Sequence, residues 1–251
     1  MIELTGPDAT ALVDLEAGGR LASLVVAGRE RLVTGGPQAG PMAWGSYPMA
    51  PWAGRLRRGR LSFAGRSYQL PIDAAPHAIH GTVYRRAWRV DHDGSIMTEL
   101  GPDWPFPGRA RQRFELAPEA LRCTLEVHAD DTAMPVTAGF HPWFAGPVEL
   151  DVHPGRQYRR DAEGIPDGSL VPPDPRPWDD CFVELEGDAR LTFEDGLTMT
   201  VSSDADHWVI YTPEHAVCAE PQTGPPDGPN LAPRIVEPGS PLSVAMVVSW
   251  S

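Results

Sequence analysis

Strict alternation of apolar and polar residues is the main structural signal in this chain. It is uninterrupted over residues 121–128, where one face would carry Leu121, Cys123, Leu125 and Val127. The same pattern covers residues 242–250 at the C-terminal end. A period of two predicts strands with one buried face. Shorter alternations predict further strands at 88–90, 113–116, 191–193 and 197–201.

Turn residues separate these predicted strands. Typical hairpin connections are present at Ala27-Gly-Arg, Ala64-Gly-Arg, Asp195-Gly and Pro238-Gly-Ser. No long stretch of the sequence shows helical periodicity. Strands joined by short turns predict an all-β fold, an antiparallel sandwich or barrel with very little helix, in which a concave sheet face can hold a ligand.

The length of 251 residues suits one well-buried core, so we expect a single domain over residues 1–251. Residues 154–177 are rich in proline, aspartate and arginine. We interpret this segment as a long ordered surface loop within that domain.

Charge narrows the range of partners. The net charge of −13 disfavours nucleic acid and anionic membranes, both of which reward a basic surface. All 21 basic residues are arginine. The absence of lysine excludes Schiff-base enzymes and lysine-dependent phosphate loops.

Cysteine usage predicts neither disulfide bonds nor a thiolate metal site, because the three cysteines are widely spaced and form no CxxC pattern. A reducing compartment fits this pattern. We find no basic leader followed by an apolar core and no run long enough to cross a membrane. The expected location is therefore the cytoplasm.

Five short stretches place a reactive side chain among residues that restrict the backbone. In order they are Pro51-Trp-Ala-Gly-Arg55, His77-Ala-Ile-His80-Gly81, Gly139-Phe-His141-Pro-Trp143-Phe144, Trp178-Asp179-Asp-Cys-Phe182 and Ala219-Glu220-Pro-Gln222-Thr-Gly224.

Glu220 and His141 are the candidate proton-transfer residues. A glutamate with an ordinary pKa of about 4.3 is an anion at neutral pH and can accept a proton. A histidine near about 6.5 needs only a small upward shift, such as a nearby carboxylate provides, to donate one. Together they can move two protons in one event, which opening and reclosing a sugar ring requires.

These stretches, in this order and over nearly the full length, resemble the aldose 1-epimerase (galactose mutarotase) family. The resemblance implies a galactose mutarotase-like β-sandwich that interconverts the α and β anomers of a free aldohexose. Acid–base ring opening and reclosure itself requires no metal, redox cofactor or covalent intermediate, so we expect none. The resemblance implies that Glu220 is the general base toward the anomeric hydroxyl and that His141 is the general acid toward the ring oxygen. It also implies sugar-hydroxyl contacts from Arg55, His80 and Asp179.

Two positions depart from the family pattern. The asparagine usual before the arginine is Gly54, and the tyrosine after His-Pro is Trp143. Because of these departures, the sequence predicts no preference for one aldose. We expect a small-molecule sugar as the partner and a monomer or weak dimer.

Each candidate residue also has a plainer interpretation. His141 could be a core histidine bonded to a carbonyl, and Glu220 could cap a turn. His77 and His80 form an HxxH pair, although a metal site usually needs a third and a fourth ligand.

Asp180 is an alternative to Asp179 as the sugar-binding residue. Neighbours in a strand point to opposite faces, so only one of the two can enter the site. For Asp227 and Asn230, we favour side-chain bonds that stabilise the loop after Glu220.

Three further functions stay open at this point. An arginine cluster close to Arg55 is either a solvated surface or a phosphate clamp, which would make the enzyme a hexose-6-phosphate 1-epimerase. The second is a non-catalytic sugar-binding protein on the same fold. The third is a glycoside hydrolase or lyase that uses Glu220 and Asp179 as a carboxylate pair.

Overall fold

Antiparallel pairing dominates the computed structural model, which describes residues 1–35 and 39–251. The first half of the chain forms β1 (Ile2–Thr5), β2 (Ala9–Asp14), β3 (Arg20–Val26), β4 (Arg29–Glu30), β5 (Ser46–Met49), β6 (Arg55–Leu56), β7 (Arg60–Phe63), β8 (Arg66–Gln69), β9 (Ala78–Ile79), β10 (Arg89–Val90), β11 (Ile96–Glu99), β12 (Gly108–Ala117) and β13 (Ala120–Ala129). The predicted all-β, antiparallel class is confirmed.

The second half continues in the same manner. It forms β14 (Met134–Val136), β15 (Gly139–Pro142), β16 (Phe144–Ala145), β17 (Val148–Asp151), β18 (Pro154–Arg160), β19 (Pro166–Val171), β20 (Asp179–Leu185), β21 (Ala189–Phe193), β22 (Thr198–Ser203), β23 (His207–Tyr211), β24 (Ala216–Gln222), β25 (Arg234–Val236) and β26 (Leu242–Trp250).

Helical structure is limited to short turns. The described residues contain one α-helical turn, α1 (Gly228–Leu231), and 3-10 turns at Arg57–Gly59 and Val83–Arg85. Throughout this described part of the chain, no helix has the length and apolar character that crossing a membrane would need.

Two large sheets account for most strands. The larger one has the order β1-β2-β3-β5-β15-β24-β23-β20-β18-β19, with β4 and β16 attached to β3 and β24. The smaller one has the order β10-β11-β12-β13-β26-β22-β21-β17. The long predicted strands at 121–128 and 242–250 are confirmed as β13 and β26, which pair with each other.

The strand period of two divides the larger sheet into a core face and a site face. On β24, Val217 and Ala219 belong to the main apolar cluster, which also contains Leu121 and Leu125 of the smaller sheet. Glu220 is therefore directed to the opposite face. Phe140 on β15 and Ile210 on β23 likewise join the core cluster. The residues adjacent to Phe140 and Ile210 along these strands therefore lie on the site face, where a ligand can reach them.

Three of the predicted hairpin turns connect paired strands as expected, whereas Pro238-Gly-Ser lies between β25 and β26, which do not pair with each other. Ala27-Gly28 connects β3 to β4, and Ala64-Gly65 connects β7 to β8. Both residues of each of these two turns have positive φ, between 49° and 73°. Such two-residue turns match the right-handed twist of the flanking strands.

The interpretation of residues 154–177 as a long loop is wrong. Most of this segment forms β18 and β19, a hairpin at one edge of the larger sheet. Only Gln157 of β18 is buried, since the strand lies at the periphery and exposes charged residues on both faces. A peripheral hairpin of this kind, whose outer strand β19 is the edge of the sheet, has no apolar alternation in its sequence.

The three cysteines are free and buried, as the absence of a disulfide pattern predicted. Cys123 lies in the core of the smaller sheet, while Cys181 and Cys218 lie on β20 and β24.

Candidate active site

His141 and Glu220 lie side by side although 79 positions separate them in the sequence. They are on β15 and β24, which are adjacent in the larger sheet through the pairing of Gly139 with Gln222. His141 Nε2 is 3.2 Å from Glu220 Oε1. Both residues are almost fully buried, with 5% and 2% of their surface exposed. The site face of the sheet therefore holds a juxtaposed imidazole and carboxyl group.

A cavity of about 230 Å³ lies over this pair. Its wall combines apolar side chains with a few polar groups, as small-molecule sites do. The polar residues that line it include Tyr47, Arg55, His80, His141, Arg160, Asp179, Asp180 and Glu220. All five residues that the sequence suggested for the site line this one cavity.

Burial determines the proton affinities of the central pair. Burial raises the pKa of Glu220 well above its ordinary value, the Asp179 carboxylate adds to this, and Arg55 opposes it. Burial also lowers the pKa of His141 well below its ordinary value, and the His80 ring acts in the same direction. The upward shift of the pKa expected for His141 is therefore wrong, because the buried imidazole loses its hydration.

Both shifts act toward the neutral forms, a protonated Glu220 next to a neutral His141. This arrangement holds one proton in total, the same number as a carboxylate beside an imidazolium. A single proton transfer over 3.2 Å interconverts the two arrangements. The pair can thus act as one acid and one base without exchanging protons with solvent.

Two aromatic rings hold the His141 imidazole. Tyr47 pairs with His141 across β5 and β15, and their rings stack with centroids 4.7 Å apart. Trp143, which directly follows β15, also stacks on the imidazole, with ring centroids 5.2 Å apart and an interplanar angle of 9°. Sequence analysis missed Tyr47, because no motif marks it and its role depends on strand register.

His80 is fixed in a left-handed backbone conformation with φ of 59°. Its backbone N–H donates to the Gly54 carbonyl at 3.0 Å, and the Gly54 N–H donates to His80 Nδ1 at 3.3 Å. Nδ1 is thus an acceptor, and the proton of the neutral ring is on Nε2. Burial, followed by the charge of Arg55, lowers the pKa of His80 to about 3. The ring is therefore a neutral donor to the cavity.

His77 does not join His80 in a metal pair. Its Nδ1 accepts a hydrogen bond from the Arg58 N–H at 3.0 Å, and its Nε2 lies 3.0 Å from the Glu163 carbonyl. With both ring nitrogens engaged by backbone groups, His77 has a structural role.

Gly81, directly after His80, allows the close approach that positions this histidine. It forms a parallel bridge with Ala50, has φ of +79°, and a Cβ added there would lie 1.9 Å from the Ala50 carbonyl oxygen. Backbone atoms cannot make such a contact, so the two segments would have to separate.

We expect Gly81→Ala to destabilise the fold considerably more than Gly65→Ala. Gly65 has φ of +73° and no atom within 4 Å of an added Cβ, so it measures the cost of the backbone angle alone, about 1–2 kcal/mol. The contact at Gly81 should add at least about 2 kcal/mol. Urea unfolding of both variants measures the difference, and equal losses would contradict the steric argument.

Arg55 and Asp179 occupy the mouth of the cavity. Arg55 Nη2 is 3.6 Å from Asp179 Oδ2, and both side chains are about two-fifths exposed, at 37% and 43%. Asp180 is directed differently, because its Oδ1 is 2.9 Å from Arg160 Nε and 3.2 Å from Gln157 Nε2. Arg160 also lies 3.8 Å from Asp179 Oδ2, so the two aspartates share this arginine, but only Asp179 pairs with Arg55.

The loop after Glu220 holds Arg55 in place. The Asp227 N–H donates to the Arg55 carbonyl at 2.6 Å, and Asp227 Oδ1 accepts from the Arg57 N–H at 3.0 Å. Asn230 donates to the same carboxylate at 2.8 Å and accepts from the Ser62 N–H at 2.9 Å. The predicted loop-stabilising bonds of Asp227 and Asn230 are confirmed.

Comparison with known proteins places this geometry in context. A candidate aldose 1-epimerase from Escherichia coli K12 has a similar structure, with a TM-score of 0.87, 19% identity, and coverage of 99% of this chain and 98% of that chain. The galactose 1-epimerase from Lactobacillus acidophilus NCFM has a TM-score of 0.82, 18% identity, and coverage of 99% and 93%. At these identities the likeness establishes the fold, which is galactose mutarotase-like.

Sequence comparison finds one relative that matches part of the chain and one family model that matches nearly all of it. The uncharacterized protein YphB of Escherichia coli K12 is 29% identical over 104 residues, which are 39% of this chain and 36% of that protein. The family model described as aldose 1-epimerase matches residues 1–249. The chain therefore belongs to the aldose 1-epimerase family.

Proposed function

We propose that this protein is an aldose 1-epimerase, a mutarotase that interconverts the α and β anomers of a free aldohexose. The observation that carries the proposal is the 3.2 Å contact between His141 Nε2 and Glu220 Oε1, two buried groups in the wall of one cavity. General acid and base groups at this separation can reach two oxygens on the same sugar carbon.

In the proposed reaction, a bound sugar enters with Glu220 as the carboxylate and His141 as the imidazolium. Glu220 takes the proton of the anomeric hydroxyl while His141 protonates the ring oxygen. The C1–O5 bond breaks and leaves the open-chain aldehyde. This step ends in a protonated Glu220 and a neutral His141, the two forms toward which burial shifts the pKa values.

Ring closure reverses both proton transfers. After rotation about the C1–C2 bond, the O5 hydroxyl attacks the other face of the aldehyde. His141 recovers its proton and Glu220 protonates the new anomeric oxygen. The total number of protons on the pair is the same before and after the cycle, so the proposed chemistry needs no exchange with solvent.

The test uses pure α-glucose and pure α-galactose. Dissolving each sugar with and without the protein and following the optical rotation measures relaxation to the anomeric equilibrium. We expect faster relaxation to an unchanged end point. Binding without acceleration would indicate a sugar-binding protein instead, and activity only on glycosides would indicate a hydrolase.

Asp179 and Arg55 are proposed to bind sugar hydroxyls at the mouth of the cavity. We expect Asp179→Asn to raise KM by about tenfold, the value of one charge-assisted hydrogen bond, with a smaller effect on kcat. Asp180→Asn is the matched control, because its carboxylate is engaged by Arg160 and Gln157. A KM effect from Asp180→Asn and none from Asp179→Asn would contradict the assignment.

The charges around the cavity favour a neutral sugar over a hexose 6-phosphate. Arg55 and Arg160 are the arginines that line it, and both lie within 4 Å of Asp179. Arg57 and Arg58 pair with Glu163 instead. We therefore expect kcat/KM to be higher for free glucose than for glucose 6-phosphate, measured by anomer-exchange NMR. The opposite order would support the phosphate alternative.

A further inference from the structure

Cys218 is a buried residue close to His141 and Glu220 that the proposed reaction does not use. The Cys218 Sγ, one ring nitrogen of His141 and one carboxylate oxygen of Glu220 all lie within 4.8 Å of one another. All three residues are buried, and Cys218 has no exposed surface. Among the residues that the structure describes, this is the group of histidine, cysteine and acidic side chains with metal-ligand spacing.

The three side chains come from rigid, adjacent strands. Cys218 and Glu220 are two positions apart on β24, so they project from the same face. His141 projects from β15, the neighbouring strand. The distance of 3.2 Å from His141 Nε2 to Glu220 Oε1 is close to the roughly 3.4 Å between two ligand atoms on a tetrahedral zinc ion.

Electroneutrality favours a divalent ion at this position. A dication bound by the Cys218 thiolate, the Glu220 carboxylate and a neutral His141 has no net charge. Its binding releases two protons, one from the thiol and the one shared by His141 and Glu220. A neutral complex avoids the large penalty that burial imposes on net charge. The cavity above the pair leaves a fourth position open.

We infer that His141, Cys218 and Glu220 form a three-ligand site for a thiophilic divalent cation, zinc or cadmium, that competes with the sugar. The competition rests on the proposed function, since the ion would occupy the nitrogen and the oxygen that the reaction needs. Metal binding itself does not rest on it.

The surroundings point to an inhibitory site and not to a resident metal. A metal-bound histidine almost always donates its other ring nitrogen to a carboxylate, a carbonyl or water. His141 Nδ1 is buried and has no hydrogen-bond partner in residues 1–35 and 39–251. A buried thiol must also lose its proton, which moderates the affinity.

The experiment titrates cadmium into the wild-type protein and three single variants. Thiolate-to-cadmium charge-transfer absorption in the ultraviolet reports binding, and zinc inhibition of anomer exchange reports competition. Cys218→Ala is the test variant. Cys181→Ala and Cys123→Ala are matched controls, because both replace buried, unpaired cysteines outside the proposed ligand set. Cys218→Ser, which is nearly isosteric, replaces Cys218→Ala if that variant unfolds.

We expect the wild type and both controls to show the absorption band and a zinc-dependent increase in apparent KM. Cys218→Ala should lose the band and keep its activity in the absence of zinc. Its inhibition should require about a hundredfold higher zinc concentration, which is roughly the contribution of one ligand to the affinity of a structural zinc site. Absence of the band in the wild type, or its persistence in Cys218→Ala, would overturn the site. A band without any anomer exchange would support the site and refute the proposed function.

Discussion

Glu220→Gln is expected to lower kcat/KM for anomer exchange by about two to four orders of magnitude, the usual contribution of a positioned acid or base. The amide has nearly the same shape as the carboxylic acid and can still hydrogen-bond to His141, but it cannot accept the anomeric proton. Polarimetry with α-glucose or α-galactose at several concentrations measures the loss.

The control for Glu220→Gln is thermal unfolding. Since burial already favours the neutral carboxyl group at this position, a neutral amide should leave the unfolding temperature unchanged or higher. A large loss of activity in a fully folded variant then reports the chemistry. Wild-type rates in Glu220→Gln would remove this residue from the mechanism.

His141→Asn should cause a loss of similar size, about two to four orders of magnitude, because asparagine cannot transfer a proton to the ring oxygen. The side chain still fits between Tyr47 and Trp143, although it loses the stacking of the imidazole. Polarimetry under the same conditions as for Glu220→Gln provides the comparison.

The double variant shows whether the two residues act as one unit. If the two proton transfers belong to one event, Glu220→Gln combined with His141→Asn should be little slower than either single variant. Losses that multiply would mean that the residues contribute to separate steps, contrary to the pair mechanism.

The fold was predictable where one face of a strand is buried. β13 alternates without interruption because it packs one face on the main core, and β26 follows the same pattern except around the buried Ala245. The edge hairpin of β18 and β19 escaped prediction, since Gln157 and Pro166 are the only buried residues of the two strands and neither strand alternates apolar with polar positions. Pairing between strands distant in sequence, such as β15 with β24, has no local signal at all.

The sequence indicated which residues form the candidate site but not the directions of their pKa shifts. Glu220 and His141 stand in motifs that the resemblance identified, and the structure places them in contact. Their pKa directions depend on how much water each group loses, which follows from the packing of the whole sheet. Tyr47 has no motif, because its place beside His141 is a consequence of register between β5 and β15.

Saturation transfer between the two anomeric proton signals of a free aldohexose at equilibrium tests the central claim most directly. We predict that the wild-type protein adds exchange in proportion to its concentration, that Glu220→Gln and His141→Asn add almost none, and that a methyl glycoside, which has no anomeric hydroxyl proton, shows neither exchange nor hydrolysis. Undiminished exchange in both variants, or none with the wild type for any aldohexose, would contradict the account.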